Sequence, residues 1–276
     1  MAPDVHSLAT FFNDAKSLAV LTGAGVSTPS GIPDYRDRNG EWKHSQPIQY
    51  GEFVRSASAR QRYWSRSYIG WQRFSKAAPN PAHDALARLE ATGKVDIVVT
   101  QNVDELHTRA GSRNVIDLHG RLSKVRCLGC DAIIERAWFQ EALEAANPDW
   151  HASVTAIRAD GDAELAEVDE SDFNVPGCGV CGGMLKPDVV MFGESVPRAR
   201  VQEAMDGVER ADALLVTGSS LMVFSGFRFV RHASATGTPI AILNQGRTRG
   251  DDLAALRIDA DCSKVLPQAA EAVATS

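Results

Sequence analysis

Ser17-Leu-Ala-Val-Leu-Thr-Gly-Ala-Gly-Val-Ser27 decides the fold. Ser17 to Thr22 is an apolar, strand-like run, and Gly23-Ala-Gly25 breaks it sharply. A glycine turn after a buried strand lets backbone N–H groups approach a phosphate, close to a helix N-terminus that favours negative charge. The stretch lacks the full G-x-G-x-x-G spacing, so by itself it reads equally as a plain tight turn.

Working outward, the same pattern recurs. Val95, Ile97, Val98 and Val99 form a strand that runs into Thr100-Gln-Asn-Val-Asp-Glu-Leu-His107. Asn114 to Leu118 is a short strand ending at His119-Gly120, and Ala213 to Thr217 is closed by Gly218-Ser-Ser220. Ile240 to Leu243 ends at Asn244. Helix-like stretches lie between these strands: residues 5–16, 51–77, 83–92, 198–211 and 224–235. Strands alternating with helices indicate an α/β fold, a parallel sheet covered on both faces. Polar residues just past the strand ends are where such sheets put ligand chemistry. Three polar strand ends favour a nucleotide over any one turn taken alone. Asp37 and Glu41 sit in a loop rather than at a second strand end, which disfavours hydride chemistry.

Net charge −6 gives no basic footprint for nucleic acid. No apolar run approaches the ~18–20 residues needed to span a bilayer. Residues 1–21 carry Lys16 as the one basic residue beside Asp4 and Asp14, unlike a secretory or transit leader. A cytoplasmic monomer with no membrane and no nucleic-acid partner is the expectation.

Four of the five cysteines form two C-x-x-C pairs, Cys127/Cys130 and Cys178/Cys181. In a reducing compartment this spacing favours metal ligands over disulfides, and four thiolates make a closed, structural zinc site. Residues 131–177 exceed the usual ribbon spacing, and the excess is acidic (Asp160, Asp162, Glu164, Glu167, Asp169, Glu170, Asp172). It reads as an insertion over 147–177, a solvated loop with one helical turn at most. Cys262 reads as a small apolar residue. His119 is the leading base, since imidazole takes a proton near neutral pH, although a lone histidine also reads as a structural side chain. His107, in a helix-like segment, goes to structure. Tyr63 and Arg66 stand three apart on a helix and share a face, either to grip a carboxylate or as a packed ring beside a surface cation.

Together these residues resemble the sirtuin family of NAD-dependent protein lysine deacylases over roughly residues 10–270. The carrying motifs are GAGVSTPSGIPDYR (23–36), TQNVDELH (100–107), LHG (118–120), the cysteine pairs, KPDVVMFGE (186–194), GSSL (218–221) and LNQG (243–246). The wording of SGIPDYR, RQRYW, GW and NPAH is similar to the class II branch, especially the mitochondrial sirtuin 4 type and its bacterial relatives.

The resemblance implies a Rossmann-like NAD-binding domain, residues 1–120 and 187–276, with a 40–80 helical module of the small domain inserted. It implies a small zinc-binding domain at 121–186, with NAD and acyl-lysine meeting in the cleft between the two. By motif match, the Gly23, Ala24 and Gly25 turn would meet the NAD phosphates, with Asp34, Tyr35 and Arg36 on the nicotinamide side. Gln101 and Asn102 would hold the ribose and Asp104 the nicotinamide amide. Gly218, Ser219, Ser220 and Asn244 would hold phosphate and the adenosine ribose, with backbone at Cys262 near adenine. Val189, Val190, Met191, Phe192 and Gly193 would pair with an acylated lysine peptide as an added strand. His119 would be the general base, with Asn102 beside it in the catalytic set, as the acyl group passes to ADP-ribose and nicotinamide leaves.

Tyr63 and Arg66 reproduce a pair that relatives use for acidic acyl groups. Thr28 and Pro29 stand where those relatives have a small alanine and an acid. An acidic or branched acyl group is expected. Two alternatives stay open: mono-ADP-ribosyl transfer to protein, and a non-catalytic NAD or ADP-ribose sensor.

Overall fold

The computed structural model describes residues 2–43, 46–152, 154–157, 161–165 and 169–274. In chain order the helices are α1 (Pro3–Asp14), α2 (Tyr50–Arg55), α3 (Ala57–Phe74), α4 (Pro81–Ala91), α5 (Leu106–Arg109), α6 (Arg136–Ala146), α7 (Arg198–Arg210), α8 (Phe224–Ala235) and α9 (Cys262–Ala274). The strands are β1 (Leu18–Thr22), β2 (Val95–Thr100), β3 (Val115–Asp117), β4 (Gly120–Cys127), β5 (Ile133–Glu135), β6 (Val154–Ile157), β7 (Ala163–Leu165), β8 (Leu185–Val189), β9 (Ala213–Thr217), β10 (Ile240–Leu243) and β11 (Leu256–Ile258). No helix among the described residues is long and apolar enough to cross a membrane.

The chain divides into two units. The larger comprises Met1–His44, Ala78–Leu118 and Val196–Ser276. Its six strands form one sheet in the order β11-β10-β9-β1-β2-β3, every pairing parallel. β1, β9 and β10 are buried along their whole length, which is why they read as unbroken apolar runs. Side chains alternate across the sheet. Leu18 and Val20 pack with Leu8, Phe12, Leu86 and Leu266 from α1, α4 and α9. Ala19 and Leu21 pack on the other face with Val208, Phe229 and Val230 from α7 and α8. Each fully buried Leu, Val or Phe contributes about 2 kcal/mol through apolar burial.

The chain builds outward from β1 to β3, then returns to lay β9 on the other side of β1. The strand order therefore reverses between β1 and β9. Rossmann-type sheets bind ligands in the crevice outside the strand ends at such a point. Both glycine turns seen in the sequence leave from there.

The smaller unit comprises Ser45–Ala77 and His119–Ser195. It holds an antiparallel sheet, β5-β4-β8, and a second antiparallel pair, β6-β7. Its core is aromatic: Phe53, Tyr63, Trp64, Tyr68, Phe139 and Phe173. The Trp64 indole donates to Leu185 O at 3.2 Å, tying α3 to β8. Arg136 is buried over the rings of Trp64 and Trp71, at 5.6 and 5.0 Å, and donates to Ser67 O and Gln140 Oε1. Burial pulls its pKa down to about 10, against the nearby charge of Asp162, so it stays protonated.

Three expectations need correction. The 51–77 helix is two helices, because Ser56 leaves helical geometry and caps α3, accepting from Ala59 N at 3.1 Å. The 147–177 stretch is not simply a solvated loop. It contains the β6-β7 hairpin, Asp162 is buried, Phe173 is buried, and Trp150 packs edge-on to Phe173 at 4.8 Å. The buried Arg136 supplies the counter-charge that lets an acid of this segment sit inside. Asp160 and Glu167 lie outside the described residues. Finally, residues 119–120 and 187–195 group with the smaller unit, since β8 pairs with β4 from Gly120 onward.

Candidate active site

β1 and β9 end in register, Thr22 opposite Thr217, so their glycine turns leave side by side. Gly25 N donates to Gly218 O at 2.8 Å. A Cβ on Gly25 would stand 2.9 Å from that oxygen, and Gly218 has φ +61°, left-handed backbone that favours glycine. The two turns meet backbone to backbone with no room for a side chain. A strand-end junction free of side chains lets a pyrophosphate approach the turns closely. Ser219 Oγ accepts from Gln101 Nε2 at 2.9 Å and from Leu221 N at 3.2 Å. Gln101 Nε2 also donates to Thr22 O at 3.1 Å. It fits only because Gly226 in α8 is bare, since a Cβ there would strike the Gln101 carboxamide.

Asn102 Nδ2 donates to Gly23 O at 3.2 Å and to Ser27 Oγ at 3.0 Å. The Ser27 hydroxyl in turn donates to Asp104 Oδ2 at 2.7 Å. Asp104 Oδ1 accepts from Leu106 N at 3.0 Å, at the start of α5. Burial raises the Asp104 pKa, against these hydrogen bonds. Asp104 thus orients Ser27, Ser27 orients Asn102, and the Asn102 carbonyl oxygen is left to accept from a ligand hydroxyl. Ser27 is the residue that sequence reading missed. Its signal was its place two residues beyond the glycine pair.

Asp34, Tyr35 and Arg36 lie in a segment closed on itself. Arg36 pairs in a β-bridge with Trp42, its guanidinium lies 4.1 Å from the centre of that ring, and its Nη1 donates to Gly40 O at 2.7 Å. Tyr35 meets the same ring edge-on, and Asp34 pairs with Lys43. Asn244 is buried after β10 and turns its amide nitrogen onto Gln245 O at 2.8 Å, keeping its carbonyl oxygen for an acceptor role. Cys262 opens α9, buried, with its thiol 3.7 Å from Gly25 O and its pKa pushed up to about 11 by burial. It has the character of a packed apolar residue. Ala24 opens the short 3₁₀ turn Ala24–Val26, and Ser220 closes the second glycine turn, its carbonyl accepting from Arg249 N at 2.9 Å.

In the smaller unit His119 is half-buried in the turn leading to β4. Its carbonyl accepts from Val190 N at 2.7 Å, which joins the candidate base to the expected peptide-binding segment. That segment is less regular than expected, because β8 stops at Val189. The Glu194 carboxylate takes the Met191 N–H, at 2.9 Å, and Gly193 turns left-handed at φ +79°. Phe192 is held separately, its carbonyl accepting from Tyr50 N at 2.8 Å. Buried Lys186 donates to Glu194 Oε2 at 3.1 Å and to Val189 O, pinning the turn from inside.

Tyr63 is buried between Phe53 and Trp64, edge-on to both at 5.4 and 5.2 Å. Arg66 reaches elsewhere: its Nε donates to Glu170 Oε1 at 2.8 Å. The expected Tyr63–Arg66 grip is thus already half engaged by the chain's own carboxylate.

The four cysteines converge. Their sulfurs lie within 4.8 Å of one another, with Cys127–Cys181 at 3.5 Å and Cys130–Cys178 at 3.8 Å. Zn–S bonds of about 2.3 Å in a tetrahedron put sulfurs about 3.8 Å apart, so the donor set fits one structural zinc ion. Gly129 N donates to Cys127 Sγ at 3.3 Å and Gly183 N to Cys181 Sγ at 3.4 Å. The Gly129 N–H lowers the Cys127 pKa to about 7, towards the thiolate that a metal needs.

Comparison with known proteins agrees with this geometry. The chain is 56% identical over 265 residues to an "NAD-dependent protein deacetylase" of Xanthomonas axonopodis pv. citri (strain 306), covering 96% of this chain and 90% of that one. It is 49% identical over 266 residues to the "NAD-dependent protein lipoamidase sirtuin-4, mitochondrial" of Bos taurus, covering 95% and 84%. The solved structure "Sir2-p53 peptide-NAD+" superposes with a TM-score of 0.80 at 31% identity, over 100% of both chains. The model of the Sir2 family matches residues 23–225, and this chain belongs to that family.

Proposed function

We propose that the protein is an NAD-dependent protein lysine deacylase. One observation carries the reading: at the β1/β9 reversal the interlocked glycine turns stand beside an amide, Asn102, aligned through Ser27 by Asp104. This is a built site for a dinucleotide with a ribose hydroxyl to be held. When bound, NAD supplies the ADP-ribosyl acceptor for the acyl group, with nicotinamide as leaving group. The chain's own residues do the rest. The turns that begin at Gly23 and Gly218 meet the phosphates, Gln101 and Asn102 hold ribose hydroxyls, and Asp104 keeps the set aligned. Asn244 accepts from the adenosine ribose, and Asp34, Tyr35 and Arg36 cover the nicotinamide side. His119 takes the proton as base, and its backbone bond to Val190 couples it to the segment that receives the peptide. The four cysteines shape the smaller unit through zinc and take no part in chemistry.

For the acyl group, the Arg66–Glu170 pair points away from a simple acid-binding pocket. An acidic acyl group would have to compete with Glu170 for the guanidinium. A neutral branched or extended acyl group faces no such competition, and a lipoamidase stands among the relatives. The reading extends to a monomer acting in the cytoplasm on acylated protein.

The test is a panel of acyl-lysine peptides incubated with NAD, following nicotinamide and O-acyl-ADP-ribose by mass spectrometry. Turnover of at least one acyl peptide is expected, falling about 10²- to 10⁴-fold in His119→Ala, the range for loss of a general base. No turnover of any acyl group, or an unchanged rate in His119→Ala, sinks the reading. ADP-ribose accumulating on protein instead favours the transferase. NAD binding with neither outcome favours the sensor.

A further inference from the structure

The loop after β10, residues 244–251, joins three parts of the proposed dinucleotide site. Asn244 opens it, directly after the strand. Arg247 N donates to Arg38 O at 2.8 Å, in the turn that joins Arg36 to Trp42. Arg249 N donates to Ser220 O at 2.9 Å, at the close of the second glycine turn. The approach to Arg38 is tight. Gly246 has φ +77°, and a Cβ on it would stand 2.4 Å from Arg38 O.

The shape of this loop is set from the edge of the sheet. Arg257 lies on β11, opposite Ile242 of β10. Its guanidinium serves four oxygens. Nη1 donates to Asn244 O at 3.0 Å and to Ile258 O, Nη2 donates to Gly246 O, and Nε donates to Asp251 Oδ1 at 2.8 Å. The Asp251 carboxylate also takes the Thr248 hydroxyl at 2.6 Å and the Thr248 N–H at 3.1 Å, which ties the far end of the loop back to its middle. Asn244 N donates to Ile258 O at 3.1 Å. The Asn244 backbone is therefore fixed at both its N–H and its carbonyl, and this sets where its side-chain oxygen stands.

We propose that Arg257 is a positioning residue for the dinucleotide. It holds the loop in the one shape that presents Asn244 to the adenosine ribose and also fastens Arg38, so the adenosine end and the segment on the nicotinamide side are set together. The dinucleotide rests on the function proposed above; the loop and its fastening to Arg38 do not.

A side chain that only filled the space would not serve. Three carbonyl oxygens converge on the guanidinium, and their dipoles repel one another without a cation between them. The planar fork reaches all three and the carboxylate at once, whereas a lysine ammonium is a point charge with three donors. Without the cation the loop has to relax to find other partners for these acceptors. A relaxed loop has to be reordered by the ligand, and that cost appears as lost affinity.

Arg257→Leu, Arg257→Lys and Asp251→Asn test the role. Affinity for NAD and for ADP-ribose is taken from calorimetry, and KM for NAD and for acyl peptide is measured separately. Trypsin cleavage after Arg38, followed by mass spectrometry in ligand-free protein, reads the fastening with no nucleotide present. Arg257→Leu should weaken both nucleotides about five- to tenfold, the scale of a lost hydrogen bond to a charged group, while the peptide KM stays within about twofold. Cleavage after Arg38 should quicken in the same variant. Arg257→Lys should recover part of both losses. Asp251→Asn, which keeps the shape and removes the charge, should show the same pattern at smaller amplitude. NAD affinity unchanged in folded Arg257→Leu removes the role; should that variant not fold, unchanged affinity in Arg257→Lys and Asp251→Asn does so. An equal rise in both KM values also removes it, since that reports general damage to the fold. Unchanged cleavage after Arg38 removes the fastening. Calorimetry and proteolysis need no turnover, so they report even if the deacylase reading fails.

Discussion

The two units solve the problem of holding a functional side chain in different ways. In the larger, position follows from sheet register: Thr22, Thr100 and Thr217 end three adjacent parallel strands at one level, and the site residues follow them directly. In the smaller, the sheets are short, the core is a cluster of rings, and individual contacts do the placing: four sulfurs, the Lys186–Glu194 pair, the Arg66–Glu170 pair. The strand ends of the larger unit are therefore over-determined by topology, while the smaller unit rests on a few replaceable contacts. A family can hold its cofactor chemistry constant on such a plan while varying what it deacylates.

The sharpest way to break this contrast is to remove the metal. Structural zinc sites of this kind bind with about 10–16 kcal/mol, which is folding free energy for the segment that they close. Chelation, or Cys178→Ala, should collapse the near-ultraviolet circular dichroism of the Trp64, Phe139, Trp150 and Phe173 cluster. Much of the far-ultraviolet signal, which the sheet of the larger unit and its helices supply, should remain. An intact aromatic signal in metal-free protein contradicts the assignment.

A second, smaller effect probes the larger unit. Burial lowers the His83 pKa from 6.5 to about 4, and lowers that of His107 as well. The unfolded chain takes up these protons below pH 6.5 while the folded chain resists. Stability is therefore complete above pH 6.5 and is lost as pH falls towards 4. For His83 alone the shift corresponds to about 3 kcal/mol across the window. Urea midpoints at pH 7.5 and 5 should show the loss, and a His83→Gln variant should show less of it. A flat profile would mean that the rings ionise in place.

The smallest effect concerns the acyl side. Glu170→Gln frees the Arg66 guanidinium from a partly exposed ion pair, a contact worth up to about 1 kcal/mol. The ratio of turnover on a dicarboxylic acyl peptide to that on a neutral one should rise about three- to fivefold. An unchanged ratio would take Glu170 out of acyl selection.

The same contrast explains what was legible in the sequence. Strands buried on both faces, such as Leu18–Thr22 and Ala213–Thr217, read as apolar runs closed by glycine. The cysteine pairs announced their chemistry by spacing. β4 was missed, because Gly120-Arg-Leu-Ser-Lys-Val-Arg-Cys127 carries three cations on a half-exposed strand. The antiparallel β6-β7 pair was hidden among acids, one of which, Asp162, has its counter-charge in Arg136 on another element. Arg66 looked available for a carboxylate because Glu170 lies 104 positions away, where no local pattern links them. Ser27, inside a recognised motif, was overlooked because its role appears only with Asn102 and Asp104 in place.

The hydrogen bond from Gly25 to Gly218 has an evolutionary cost. Each turn is the other's floor, so neither can gain a residue, a side chain or a new backbone angle unless the other changes in the same step. A lineage drifting by single substitutions meets a dead end there in both directions. New specificity has to be found at a distance from that junction, and the long insertion beside Arg66 is open ground for it.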